Sequence, residues 1–171
     1  LRPNTYYDGE FENFIGYSMA NSINKIQQWG DIKWISMRRS YISSDNLTVK
    51  ANDNPDLSDV ERMNFAFYAT EGFKNSSVNE WDTSNVKDMS YMFALSDFNQ
   101  DISSWNTSNV IFMNRMFYKS SFNQSISDWN TSNVKHISFI FKESKFNQDI
   151  SNWNISNVNR MNSSFASSEF N

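Results

Sequence analysis

His136 is the single histidine of the chain and the first residue to weigh for chemistry. A catalytic base needs an orienting partner and a nucleophile within reach. His136 stands instead at a place in a recurring pattern that holds Asp88, Phe112 and Arg160 elsewhere, which favours a solvated surface residue. Asp101 and Asp149 are the best carboxylate pair. They lie two recurrences apart, which at about 4.8 Å per rung separates them by roughly 10 Å, near the span of an inverting glycosidase pair. On an open sheet without a pocket such a pair has no substrate site, and hydrolysis is not expected. The absence of cysteine removes a disulfide framework and a thiolate metal site. No glycine-rich phosphate loop or metal-ligand cluster is present either. The expectation is a non-enzymatic chain that needs no cofactor or metal.

The elements around these residues must be built from an unusual composition. Asn and Ser are abundant, yet aromatic residues make up 16 % of the 171 positions, with 15 Phe and 6 Trp. That is too much ring surface for a solvated coil, so the chain is expected to fold. A net charge of −4 offers no basic footprint for nucleic acid. No run of about 18 apolar residues is present, so no membrane insertion is expected within this segment. Leu1 opens without a signal-like segment, and Asn171 stops inside a recurring unit. Both ends read as cuts in a longer protein.

The tryptophans set the register. Trp81, Trp105, Trp129 and Trp153 are evenly spaced, and Ser84-Asn85-Val86 returns 24 residues later as Ser108-Asn109-Val110, then twice more. Phe98-Asn99-Gln100 returns as Phe122-Asn123-Gln124 and Phe146-Asn147-Gln148. A period this faithful signals a repeat architecture. Two longer, 26-residue units precede the regular ones, at 29–54 and 55–80, and the second lacks its tryptophan. The division expected is a cap or the end of a preceding domain over 1–28, two divergent capping repeats over 29–80, and regular repeats over 81–171 with the last truncated.

Within a unit, Val86, Met89, Met92 and Phe93 have the spacing of a short helix with one buried face. Asn85 or Ser84 before it suits an N-cap. Gln100-Asp101-Ile102-Ser103 alternates polar and apolar residues, as a short half-buried strand does. The fold class predicted is an α/β solenoid, with one short parallel strand and one short helix per 24-residue repeat. A lone unit buries too little to offset its conformational entropy, so the units must stack. Ile102, Ile126 and Ile150 then form one core column beside Trp, Val and Phe columns. Asn99, Asn123, Asn147 and Asn171 suit an asparagine ladder at the corner.

The phrase from Trp81 to Phe93, followed by Phe98-Asn99-Gln100-Asp101-Ile102-Ser103, resembles the BspA-type leucine-rich-repeat surface proteins. It is similar above all to the branch found in mycoplasma lipoproteins, over about residues 26–171. The resemblance implies a leucine-rich-repeat-like right-handed coil on a secreted or surface-anchored protein, used in adhesion or partner binding. It also implies that residues 1–28 end a small β-sandwich that precedes the array in some members. The departures are the missing tryptophan, Ile137 and Ile140 in place of two Met, and Ser164 in a normally apolar place. Ile for Met conserves volume; Ser164 weakens the packing expected of the last unit.

A recognition surface should use positions that packing leaves free to vary. Two sets qualify. On the predicted strand face stand Asp101 and Ser103, with Ser125, Ser127, Asp149 and Ser151 in later units. On the predicted helical side, Tyr91, Phe112, Arg115 and Phe139 differ from one another, with His136 and Arg160 nearby. The leading expectation is a surface-displayed or secreted module that binds protein or glycan on another cell or matrix. A structural spacer in a stalk, capsid or envelope is the alternative. Ice binding through the Thr83, Thr107 and Thr131 column ranks below both, because the column breaks at Ile155.

Overall fold

The 24-residue period of the sequence reappears as a hydrogen-bond period. In the computed structural model, which describes residues 25–75 and 77–171, alternate residues of one unit donate to the next. Met89, Tyr91, Phe93 and Leu95 give their backbone N–H to the carbonyls of Phe112, Asn114, Met116 and Tyr118, at 2.9, 3.0, 3.0 and 2.8 Å. Met113, Arg115, Phe117 and Lys119 repeat this onto His136, Ser138, Ile140 and Lys142. Parallel bridges join Arg62, Asp88, Phe112, His136 and Arg160 in succession. Two short parallel strands, β1 (Lys25–Ile26) and β2 (Thr48–Val49), pair at the start of the described chain.

The segment expected to be helical is a run of turns. Val86, Met89, Met92 and Phe93 are all fully buried, so the apolar spacing marks the interior. The backbone differs because its N–H groups are divided between two partners. Met92 and Ala94 donate three residues back within the unit, while their neighbours donate to the next unit. An α-helix would keep every bond inside the segment and leave adjacent units unconnected. Turning alternate N–H groups outward requires left-handed residues, and these recur in pairs: Tyr91 and Leu95 at φ 59° and 60°, Arg115 and Lys119 at 56° and 53°, Phe139 and Glu143 at 60° and 56°. None is glycine, so each costs on the order of 1 kcal/mol, offset by the ladder it completes. Gln100–Ser103 is likewise not assigned as a strand and leads into a turn at Ser103 and Ser104.

The core is a set of columns. Phe67, Phe93, Phe117, Phe141 and Phe165 stack ring on ring at 5.6 to 6.0 Å. Phe73, Phe98, Phe122, Phe146 and Phe170 form a second stack at 5.8 to 6.2 Å. The tryptophan rings lie beside them, and the indole N–H of Trp105, Trp129 and Trp153 donates to the carbonyl of Val78, Ile102 and Ile126 at 2.8, 3.1 and 3.0 Å. Where the unit 55–80 lacks its tryptophan, Trp29 turns edge-on and meets Trp81 directly at 5.3 Å. By contrast Trp81 and Trp105 are near-parallel at 12°. A large ring from the neighbouring unit fills what would be a void.

Polar side chains tie the units from outside the core. Asn85, Asn109, Asn133 and Asn157 donate to the carbonyls of Ser58, Ser84, Ser108 and Ser132 at 2.6 to 2.7 Å. This is a bond to the preceding unit, not a helix cap. The Asn99 and Asn123 side-chain oxygens accept from the backbone N–H of Asn123 and Asn147 at 2.8 Å, so the second asparagine column also links neighbours. Thr83, Thr107 and Thr131 are buried and donate to the carbonyls of Asn106, Asn130 and Asn154 at 3.1 Å. A threonine column turned inward offers no hydroxyl row to ice. Ser164, in its apolar column, satisfies its hydroxyl on the carbonyls of Met161 and Ile137 at 2.8 and 2.9 Å.

Carboxylates that accept backbone N–H groups give this framework a pH dependence, Asp53 and Asp149 among them. Asp53 accepts from the N–H of Trp29 and Gly30 at 3.1 and 2.7 Å, and Asp149 accepts from the N–H of Ser151 at 2.8 Å. These donors hold both carboxyls below the usual carboxylate range. The folded state therefore favours the ionised forms. Their stabilisation is complete above about pH 4, the unfolded value, and disappears as pH falls through the lower folded values. We expect the urea midpoint to drop between about pH 6 and about pH 3, and to drop less in Asp53→Asn.

Candidate functional site

The first set of expected recognition residues lies in turns instead of on a sheet face. Asp101 uses one carboxylate oxygen to accept from Ser103 N–H at 2.9 Å and the other to accept from Asn79 at 3.0 Å. Asp149 binds the N–H of Ser151 in the same way, and the Ser125 and Ser127 hydroxyls meet at 3.4 Å. The two aspartates each close an Asx-turn, and Ser125 stands at the matching place of the unit between them. These groups are exposed or half-buried, and the bonds they make shape the corner.

The second set converges. Tyr91, Arg115 and Phe139 occupy the first left-handed position of successive turns, and the ladder beneath them sets one side chain over the next. The Arg115 guanidinium lies between two rings, 5.2 Å from the centroid of Tyr91 and 4.3 Å from that of Phe139. It also donates to the Tyr91 hydroxyl. Upstream, Phe65 stacks on Tyr91 at 4.3 Å, and Arg39 covers Phe65 at 5.6 Å. Downstream, Lys142 lies 5.7 Å from the Phe139 ring. The result is a column of stacked cations and rings along one face, with Phe65 and Tyr91 as a ring pair between Arg39 and Arg115. Stacking of this kind fixes a long cation at low entropic cost and leaves its N–H edges facing outward.

Neighbouring columns add to it. Phe112 stands in the bridge column and meets His136 edge-on at 5.1 Å. Beside Phe112 is a shallow, open depression of about 290 Å³ lined by Glu61, Arg62, Lys87, Asp88, Ile111 and Phe112. Lys119 and Lys142 converge on Glu143 at 3.1 and 3.4 Å. The Lys119 bond holds the Glu143 carboxyl below its ordinary range and raises the Lys119 ammonium. Burial, with Tyr91 and Tyr118 nearby, raises the Tyr68 hydroxyl. His136 has no carboxylate orienting it, and among the described residues no group of three or more His, Cys, Asp or Glu is placed to hold a metal. No described helix is long and apolar enough to cross a membrane.

Four members of this face escaped the reading of the sequence: Arg39, Phe65, Lys119 and Lys142. A signal for the first two was present. Ten residues after each unit's start stand Arg39, Phe65, Tyr91, Arg115 and Phe139, so a cation or ring fills that place in five successive units. Reading the regular units alone hides the pattern.

The chain has no match among curated proteins or among solved structures. One family does match, at residues 35–143 and again at 118–171, and it is described as "Mycoplasma protein of unknown function, DUF285". The two matches together run from residue 35 to residue 171, most of the chain, and the protein belongs to this family.

Proposed function

We propose that this chain is a non-enzymatic binding module, displayed or secreted outside the cell, that engages protein or glycan on another cell or matrix. On this reading the array is a leucine-rich-repeat-like solenoid of the BspA type, with turns where a helix was expected. The observation that carries the reading is the Arg39–Phe65–Tyr91–Arg115–Phe139 column. Its backbone positions repeat while its side chains vary, which is how a fixed scaffold presents a specific surface. Function then belongs to residues that the core does not dictate. Incubating the full chain with host cells and extracellular matrix, followed by capture and identification of what is retained, tests it. Retention that weakens in Arg115→Ala and Phe139→Ala is expected. No retention by any cell or matrix would overturn it.

A further inference from the structure

The chain is acidic as a whole, but its charges are sorted. The ladder segments at 36–43, 61–69, 87–95, 111–119, 135–143 and 159–167 carry nine Lys or Arg against three Asp or Glu. The rest of the described chain carries five basic residues against thirteen acidic ones. The three acids of the ladder segments are Glu61, Asp88 and Glu143. Glu61 pairs with Lys87 at 2.6 Å and Glu143 with Lys119 and Lys142. Among the described residues Arg62, Lys135 and Arg160 are exposed and have no ion pair. One side of an anionic protein is therefore a cationic strip running along the stacking direction.

We propose that this strip is the docking surface for an anionic polysaccharide, a linear glycan carrying sulfate or carboxylate groups. The inference rests on the binding reading above and specifies its ligand class. Charge complementarity supplies the attraction, and the remainder of the surface repels a polyanion, which confines it to the strip. Two further observations select a glycan over other polyanions. Stacked nucleobases need free ring faces, and here the faces are taken up within the column: Tyr91 lies between Phe65 and Arg115, and Phe139 lies beneath Arg115 and Lys142. An acidic protein partner would need a central apolar anchor. The exposed large apolar residues on this face or at its start are Ile35, Leu95 and Met161, in three units that are not adjacent, so they form no central anchor. What the face offers between its cations is amide and hydroxyl, as in the half-buried Asn114 and Tyr118, which suits a hydroxylated polymer.

The test uses the full chain and heparin as the probe. Titration calorimetry should show binding that weakens as salt rises through about 0.15 M. Reversing two exposed strip charges, Lys135→Glu with Arg160→Glu, should weaken it by about tenfold or more. Reversing two charges elsewhere, Lys74→Glu with Lys145→Glu, should leave it unchanged; both doubles are checked for an unaltered urea midpoint. Equal losses in the two doubles, no heparin binding, or tighter binding of polyglutamate or oligo-dT than of heparin would overturn the proposal. Matrix retention that survives enzymatic removal of acidic glycans would overturn this inference alone, whereas loss of all matrix and cell retention would remove the binding reading as well.

Discussion

Replacing Phe117 by alanine is expected to cost about 3–5 kcal/mol of folding stability, read as a fall in the urea midpoint of the intact chain. Phe117 is fully buried and touches four rings: Phe93 above, Phe141 below, Phe122 at 4.1 Å within its own unit, and Trp129. Its neighbours are held by the backbone ladder and cannot close in, so the cavity persists. Phe170→Ala is expected to cost clearly less, because that ring is only partly buried and stacks on Phe146 from one side. A loss below about 1 kcal/mol at Phe117 would mean that the rings are adjacent without being packed.

Removing residues 105–128 should leave a folded protein, whereas removing residues 105–116 should not. The first deletion joins Ser104 to Trp129 and returns every column to register, since hydrogen bonds, ring stacks and asparagine bonds all connect positions one period apart. The shortened chain should keep its near-ultraviolet aromatic signal and unfold cooperatively, with a smaller denaturant slope because less surface is buried. The half-period deletion sets Phe117 where Trp105 stood and opposes polar turns to core columns. It should lose the aromatic signal and aggregate on gel filtration. Similar behaviour of the two would show that the period is not the unit of stability.

Reading the proposed binding face required more than the period. Phe112, Arg115 and Phe139 are visible in sequence as unlike residues at matched places, because nothing in the core dictates them. The contact of Arg115 with Phe139 is not visible. It arises from the left-handed turns, which direct successive side chains at one position into a single line. Net charge misleads for a related reason: it averages over a cationic strip and an acidic remainder that only the stacking of units separates.

The sequence by itself determined the period, the register of the units, and which side chains are interior. Trp, Val, Met and Phe at matched intervals have nowhere to go but into shared columns, and burial follows apolar spacing whatever the backbone does. The Asn and Thr positions were equally legible as constants. Tertiary structure alone decided the conformation that delivers them. A stripe at i, i+3 and i+7 fits a helix or a string of turns equally well, and the choice falls to where the N–H groups find partners. Here those partners lie in the next unit, about one period away, so the segment gives up the helix, Thr107 turns inward to Asn130, and Trp29 reaches across a missing ring to Trp81. Local pattern fixes what must be buried; long-range hydrogen bonding fixes how.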